Sequence, residues 1–265
     1  MCGRYASSRR PEDLLEEFDA VEARLAAPLA PDYNVAPTKE VYAILERPPA
    51  EGEQDADPRP ERQLRALTWG LVPSWATDPA IGSRLINARS ETVAEKPAFR
   101  RAFARRRCLL PADGYYEWYA TAQRTAAGRP VKQPFFIRPR DGGVLAMAGL
   151  YEIWRDPDRA DDDPARFRWT CTVLTTSAED AVGHLHDRMP LMVDPGRRDA
   201  WLDPRAQGAD LLDLLTPAAP GALEAYPVST AVGNVRNNGA HLVEPLPLDG
   251  LTPEAIAELA AETVR

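Results

Sequence analysis

Cys108-Leu109-Leu110-Pro111-Ala112-Asp113-Gly114-Tyr115-Tyr116-Glu117-Trp118-Tyr119 is the most strand-like stretch of the chain. Apolar and aromatic side chains crowd both sides of one Asp-Gly dipeptide, and such residues fit a pleated, largely buried surface. The stretch reads as two strands, 108–110 and 114–119. The pattern continues downstream, with strand-like runs at 134–138, 144–154, 168–176 and 191–193 and a late one at 226–229. Upstream, 41–45 and 64–72 are strand-like. Between them, 48–62 is rich in Pro, Glu and Asp and reads as a surface loop, as does the charged 155–166 segment. Helices are scattered. Pro11 suits a first helical position, and Leu14, Leu15, Phe18 and Val21 form an apolar stripe behind it. The segment 91–107 reads as helical, with Pro97 interrupting it or starting a second helix. Segments 210–215 and 253–263 also read as helices. No internal repeat and no long linker divides the chain. The expected class is one α+β domain over residues 2–245, with a largely antiparallel, barrel-like sheet and peripheral helices. Residues 246–265 are expected to add a C-terminal helical extension.

Size and composition are ordinary for a globular protein: 265 residues, 44% hydrophobic and 27% charged. No apolar run reaches the roughly 20 residues needed to span a bilayer, and no signal-peptide pattern opens the chain. The expectation is a soluble, cytoplasmic monomer. Cys2, Cys108 and Cys171 are widely spaced, with no C-x-x-C, which supports neither a disulfide framework nor a cysteine zinc site. No cofactor is called for. Net charge is −8, but its distribution is uneven. Residues 84–107 hold eight basic side chains (Arg84, Arg89, Lys96, Arg100, Arg101, Arg105, Arg106 and Arg107) against Glu91 and Glu95. A concentrated basic run in an acidic protein is compatible with a phosphate-binding groove, and equally with a solvated helix face.

The chain begins Met1-Cys2-Gly3-Arg4-Tyr5. Initiator methionine is normally trimmed before a small residue, which would leave Cys2 with an α-amine and a thiol on adjacent carbons. Their ordinary pKa values, about 8 and about 8.5, leave both reactive near neutrality. A 1,2-aminothiol condenses with an aldehyde through its amine, and its thiol then closes a five-membered thiazolidine. The same group can act as a simple N-terminal thiol nucleophile with its amine as base.

Four further clusters carry potential chemistry: Trp69-Gly70-Leu71-Val72-Pro73-Ser74-Trp75, Asn87-Ala88-Arg89-Ser90-Glu91-Thr92, Asp113 to Trp118, and His184-Leu185-His186-Asp187-Arg188-Met189-Pro190. With the Met-Cys-Gly-Arg-Tyr start, they resemble the SOS-response-associated peptidase (SRAP) family, whose members act on abasic DNA. Tyr33-Asn34-Val35-Ala36-Pro37, 108–111, 148–152 and Thr175-Thr176 agree with that resemblance, which runs from Cys2 to about residue 245. It implies single-stranded DNA containing abasic sites as the partner. It also implies a covalent crosslink from the N-terminal cysteine to the open-chain aldehyde of the abasic sugar.

Carried over residue by residue, the resemblance makes Cys2 the nucleophile and Asn87 the group that positions its amine. Glu117 becomes the proton shuttle for Schiff-base formation, and His186 the acid at the sugar oxygen. Glu117 lies in an aromatic strand, where burial raises a carboxyl pKa. Arg4, Arg89 and Arg188 match phosphate contacts, which suit the arginine fork. Trp69, Trp75 and Pro37 match positions beside the lesion's bases, and Thr175 a hydroxyl contact. Other readings stay open. An N-terminal-cysteine glutamine amidotransferase also begins Met-Cys-Gly, with Asn238-Gly239 as an oxyanion element. The remaining two are a cysteine peptidase limited to its own N-terminus and a non-covalent DNA-binding module. A His184/His186 metal pair has no third ligand in view.

Overall fold

A computed structural model describes residues 2–47, 60–178, 185–206, 209–215 and 221–246. In chain order the elements are β1 (Tyr5–Ser7), α1 (Pro11–Glu17), β2 (Glu22–Arg24), β3 (Asp32–Val35), β4 (Glu40–Arg47), β5 (Glu61–Trp69), β6 (Asn87–Arg89), α2 (Arg100–Arg105), β7 (Arg107–Ala112), β8 (Gly114–Arg124), β9 (Pro130–Pro139), β10 (Leu145–Arg155), β11 (Phe167–Ser177), β12 (Arg188–Pro190), α3 (Arg198–Leu202), α4 (Ala209–Asp213) and β13 (Leu223–Pro227).

Five strands close on themselves. β11, β10, β7, β4 and β5 follow one another in antiparallel pairs, and a short parallel pairing of β11 with β5 completes the ring. Closure removes free strand edges and defines an inside. Val41, Ala43, Leu45, Leu67, Trp69, Cys108, Leu110, Met147, Tyr151, Cys171 and Val173 belong to the inner core. Their neighbours Tyr42, Ile44, Leu64, Leu109, Ala148, Leu150 and Leu174 face a second core shared with α1, α2 and α3. Both faces of these strands are therefore covered, which is why they read as continuous apolar runs rather than alternating ones.

A second sheet, in the order β13-β9-β8-β1-β3, is antiparallel throughout. The chain passes from the barrel to this sheet between β7 and β8, at Asp113. The Asp113 carboxylate accepts from the Ser8 amide at 2.7 Å, and its own N–H donates to Ala6 O at 2.8 Å. At Gly114 a Cβ would lie 2.4 Å from the Phe136 ring and 2.5 Å from the Ile137 carbonyl, so no larger residue fits. The single stretch 108–119 thus joins the two sheets.

Three expectations are corrected. The helix expected over 91–107 is confined to α2, preceded by a 3-10 turn at Ser90–Thr92; Pro97 has no N–H to continue a helical ladder between them. The strand expected at 191–193 lies three residues earlier, at β12, and 191–193 instead donates Leu191 N to Leu174 O and Val193 N to Ala146 O. Val21 is 71% exposed because α1 ends at Glu17 and Asp19, at φ 49°, turns the chain away. The expected helix at 253–263 and residues 48–59 of the expected acidic loop lie outside the described residues.

Candidate functional site

β11 organises the site. Along its C-terminal half it pairs in parallel with β6, setting Val173 opposite Asn87 and Thr175 opposite Arg89. It also pairs antiparallel with β12, setting Ser177 opposite Arg188. β6 reaches this position through a close approach of two glycines. Gly70, at φ +134°, passes so near Gly82 that a Cβ would sit 2.7 Å from the Gly82 carbonyl. The Ile86 carbonyl then accepts from the Trp69 indole at 2.9 Å and from the Val173 amide at 3.1 Å. Asn87 follows directly, held on both sides.

Asn87 Nδ2 donates to the Cys2 carbonyl at 2.7 Å, anchoring the N-terminal segment on β6. Its Oδ1 is buried and has no hydrogen-bond partner, so it is left to accept from an N–H brought beside it. On the other side, β1 pairs with β8, with Tyr5 opposite Tyr115 and the Tyr116 amide donating to Arg4 O at 2.9 Å. This ladder lays the N-terminal residues along β8 toward Glu117. Cys2 and Glu117 are both buried. Burial, and after it the Glu117 charge, pushes the Cys2 thiol well up. Burial also pushes the Glu117 carboxyl up to about 7. A carboxyl raised toward neutrality is able to give or take a proton there.

His186 precedes β12. Its Nδ1 accepts from the Arg188 amide at 2.9 Å and lies 2.8 Å from an Asp187 carboxylate oxygen. Burial holds the ring below its ordinary 6.5. The Arg188 amide favours the tautomer with its proton on Nε2, whereas the Asp187 carboxylate favours a proton on Nδ1. His184 lies outside the described residues. Among the described residues no group of three or more His, Cys, Asp or Glu is placed to hold a metal ion.

A cleft of about 530 Å³ opens here, lined by Arg89, Glu91, Thr92, His186, Asp187 and Arg188. Arg89 is exposed and makes no ion pair among the described residues. Arg188 is already engaged: its fork meets the Glu91 carboxylate at 2.5 and 2.9 Å and donates to Thr175 O at 2.6 Å. Arg4 is engaged more deeply. One nitrogen donates to Asn34 Oδ1 at 2.7 Å and to Val232 O at 2.9 Å, and the guanidinium lies 5.6 Å from the centre of the Trp118 ring.

Two expected base or DNA contacts are corrected. Trp69 is 0% exposed, packs against Tyr5 at 5.1 Å and spends its indole N–H on Ile86, so it is a core residue and offers no stacking face. Thr175 is also fully buried, and its carbonyl and hydroxyl face Arg188 rather than the cleft. Trp75 is the opposite case. It stands 53% exposed on a turn closed by Ala76 N to Pro73 O at 2.8 Å, and the Trp154 indole braces that turn by donating to Ala76 O at 2.7 Å. Pro37 is half-buried, just before Thr38 at φ 73°. The basic run 84–107 does not form one patch. Arg106 pairs with Glu152 at 2.7 Å. Arg107 is buried against the carbonyls of Phe103, Trp201 and Asp203, and burial lowers it to about 10.

Asn34 went unassigned in the sequence, although it lies within the Tyr33 to Pro37 motif. It is fully buried, accepts from Arg4, and donates to the carbonyls of Val232, Asn234 and Asn237 at 3.2, 3.0 and 2.9 Å. Glu91, the partner of Arg188, lies within the Asn87 to Thr92 motif.

A closed five-strand barrel, flanked by a second antiparallel sheet and a few short helices, with Cys2 buried and its carbonyl held by Asn87, defines a single-domain protein of the α+β class. The chain belongs to the SOS response associated peptidase (SRAP) family, whose model matches residues 1–235. It is 35% identical over 245 residues to the abasic site processing protein YoqW of Bacillus subtilis, covering 92% of this chain and 99% of that one. It is 32% identical to the abasic site processing protein YedK of Escherichia coli, with 93% and 100% covered. To the abasic site processing protein HMCES of Gallus gallus it is 31% identical, with 88% and 71% covered. A crystal structure of a Bacteroides thetaiotaomicron protein shares the fold at a TM-score of 0.73 and 22% identity, covering 93% of this chain and all of the other.

Proposed function

We propose that this protein binds single-stranded DNA at abasic sites and that Cys2, once Met1 is removed, forms a thiazolidine crosslink with the open-chain sugar aldehyde. The observation that carries this reading is the clamp on Cys2. Its carbonyl is held by Asn87, and its thiol is buried within the electrostatic reach of Glu117. Three relatives named for abasic site processing support the substrate class.

Each residue then has a task. The Nε2–H of His186 donates a hydrogen bond to the sugar ring oxygen; the C1′–O4′ bond breaks, the C1′ hydroxyl passes its proton to O4′, and the aldehyde forms. The α-amine adds to C1′, and Asn87 Oδ1 accepts one of its N–H groups to orient the lone pair. Protonated Glu117 gives its proton to the departing hydroxyl, which leaves as water and yields the imine. The thiol then adds across the C=N bond, forming C–S, while the sulfur's proton ends on nitrogen. Arg89 reaches phosphate directly, and Trp75 stacks on an adjacent base. Arg188 does so after exchanging Glu91 for phosphate, while Arg4 acts mainly by fixing β1. The protein works as a monomer in the cytoplasm, at DNA.

Two observations weigh against the alternatives. An activated hydrolytic cysteine needs a thiol pKa that is lowered, whereas burial raises that of Cys2. Asn238, the oxyanion candidate of an amidotransferase, spends its amide holding Tyr33 N and Pro31 O at 2.8 and 3.0 Å.

The test uses intact mass and a detergent gel. Processed protein should give a heat-stable adduct with abasic single-stranded DNA and none with intact DNA. Cys2→Ser should lose the heat-stable adduct but still be trapped as an imine by borohydride, since its amine remains. One extra residue before Cys2 should abolish both, and equal trapping with that residue in place would sink the mechanism.

A further inference from the structure

Two tyrosine hydroxyls lie buried in the same core as Cys2 without a hydrogen-bond partner. Tyr5 on β1 and Tyr115 on β8 face each other across the strand pair, and both are fully buried members of the same inner core as Cys2. Neither hydroxyl has a hydrogen-bond partner. An unpaired buried polar group costs about 1–3 kcal/mol, and an aromatic of the same shape without the hydroxyl would avoid that cost. Tyr115 stands two residues before Glu117, so the two side chains project from the same face of β8. The steps assigned to Glu117, His186 and Asn87 use neither tyrosine.

The Cys2 sulfur has a matching need. Its recorded hydrogen bond is one in which the thiol donates, at 4.0 Å to Arg4 O. Among the described residues no N–H or O–H donates to it. A thiol can rest in that state, but a sulfur losing its proton needs a donor. We propose that Tyr115 is a further functional residue of this site: its hydroxyl donates a hydrogen bond to the Cys2 sulfur as that sulfur closes the five-membered ring. The inference rests on the thiazolidine reading above. In this step the S–H bond breaks, the C–S bond to C1′ forms, and the proton ends on the former imine nitrogen. Tyr115 keeps its own proton throughout. Burial, followed by the charges of Cys2 and Glu117, holds its phenol well above the ordinary value, so it stays a donor and does not compete as a base. Tyr5, its buried and equally unpartnered neighbour across the strand pair, is the control.

The experiment follows processed protein on an abasic single-stranded oligonucleotide. Each time point is split. One half is reduced with borohydride before boiling in detergent, which counts imine plus closed ring. The other half is boiled directly, which counts closed ring alone. For Tyr115→Phe, total trapping should rise at nearly the wild-type rate, while ring closure slows about 10- to 100-fold, the span expected for a hydrogen bond to a charged group. A reductant-dependent imine should therefore accumulate. Tyr5→Phe should close the ring within about threefold of wild type, and both variants should melt no lower than wild type. A purely structural role would not divide the two halves of the assay. A fluorotyrosine at position 115, which keeps the shape and strengthens the donor, should close the ring at least as fast as tyrosine. Wild-type closure in Tyr115→Phe, or equal slowing in Tyr5→Phe, overturns the assignment. Absence of any borohydride-trapped adduct with the wild-type chain would instead remove the thiazolidine reading itself.

Discussion

Replacing Glu117 by Gln tests the site without DNA. The carboxyl is buried, and burial raises it from 4.5 to about 7. Between those two values the unfolded chain has given up a proton that the folded chain still holds, so stability falls as pH rises through that window. Below about 4.5 the penalty is nearly absent, and above about 7 it is complete. The gap corresponds to about 3 kcal/mol. Gln has no such titration. Any cost of burying its amide is independent of pH and cancels when two pH values are compared. The stability of Glu117→Gln relative to wild type should therefore improve by about 3 kcal/mol between pH 4.5 and pH 8. On thermal unfolding this is a relative gain of about 5 °C for a chain of this length. Urea unfolding of both proteins at both pH values measures it, with unchanged m-values as the condition for comparison. A pH-independent difference between the two proteins would refute the raised carboxyl, and with it the assignment of Glu117 as an acid near neutrality.

Other outcomes follow from the same geometry. Asn87→Ala removes the 2.7 Å bond to the Cys2 carbonyl and should slow crosslinking at least tenfold while costing about 1 kcal/mol of stability, read by denaturant titration. Glu117→Gln and His186→Ala should each slow crosslinking by about 10²-fold or more while leaving DNA affinity nearly intact, as expected for lost acid–base assistance; wild-type rates across pH 5–8 would reject these roles. Arg89→Ala should flatten the salt dependence of single-strand binding by about 0.7 of a log–log unit. Trp75→Ala should lose about 1–3 kcal/mol of binding with the salt slope and the melting temperature unchanged, whereas Trp69→Ala should destabilise the fold by about 3–5 kcal/mol.

The class of fold was legible in local sequence, as were the short motifs that hold Cys2, Asn87, Glu117 and His186. A strand buried on both faces writes itself as an apolar run, and a reactive 1,2-aminothiol is defined by two adjacent groups at one chain end. Asn87, Glu117 and His186 were recognisable from short motifs because each sits within a few residues of its own anchors. Ring closure was not visible in this way, because the parallel pairing of β11 with β5 joins residues about 100 positions apart. Nor were the separate fates of like residues. Trp69 and Trp75 are six positions apart in one motif, yet one fills the barrel and the other stands in solvent. Arg4, Arg89 and Arg188 look alike in sequence, yet Asn34 and Glu91 occupy two of them while the third is exposed. Burial and partner choice depend on which distant strands close over a side chain, and only the tertiary structure decides that.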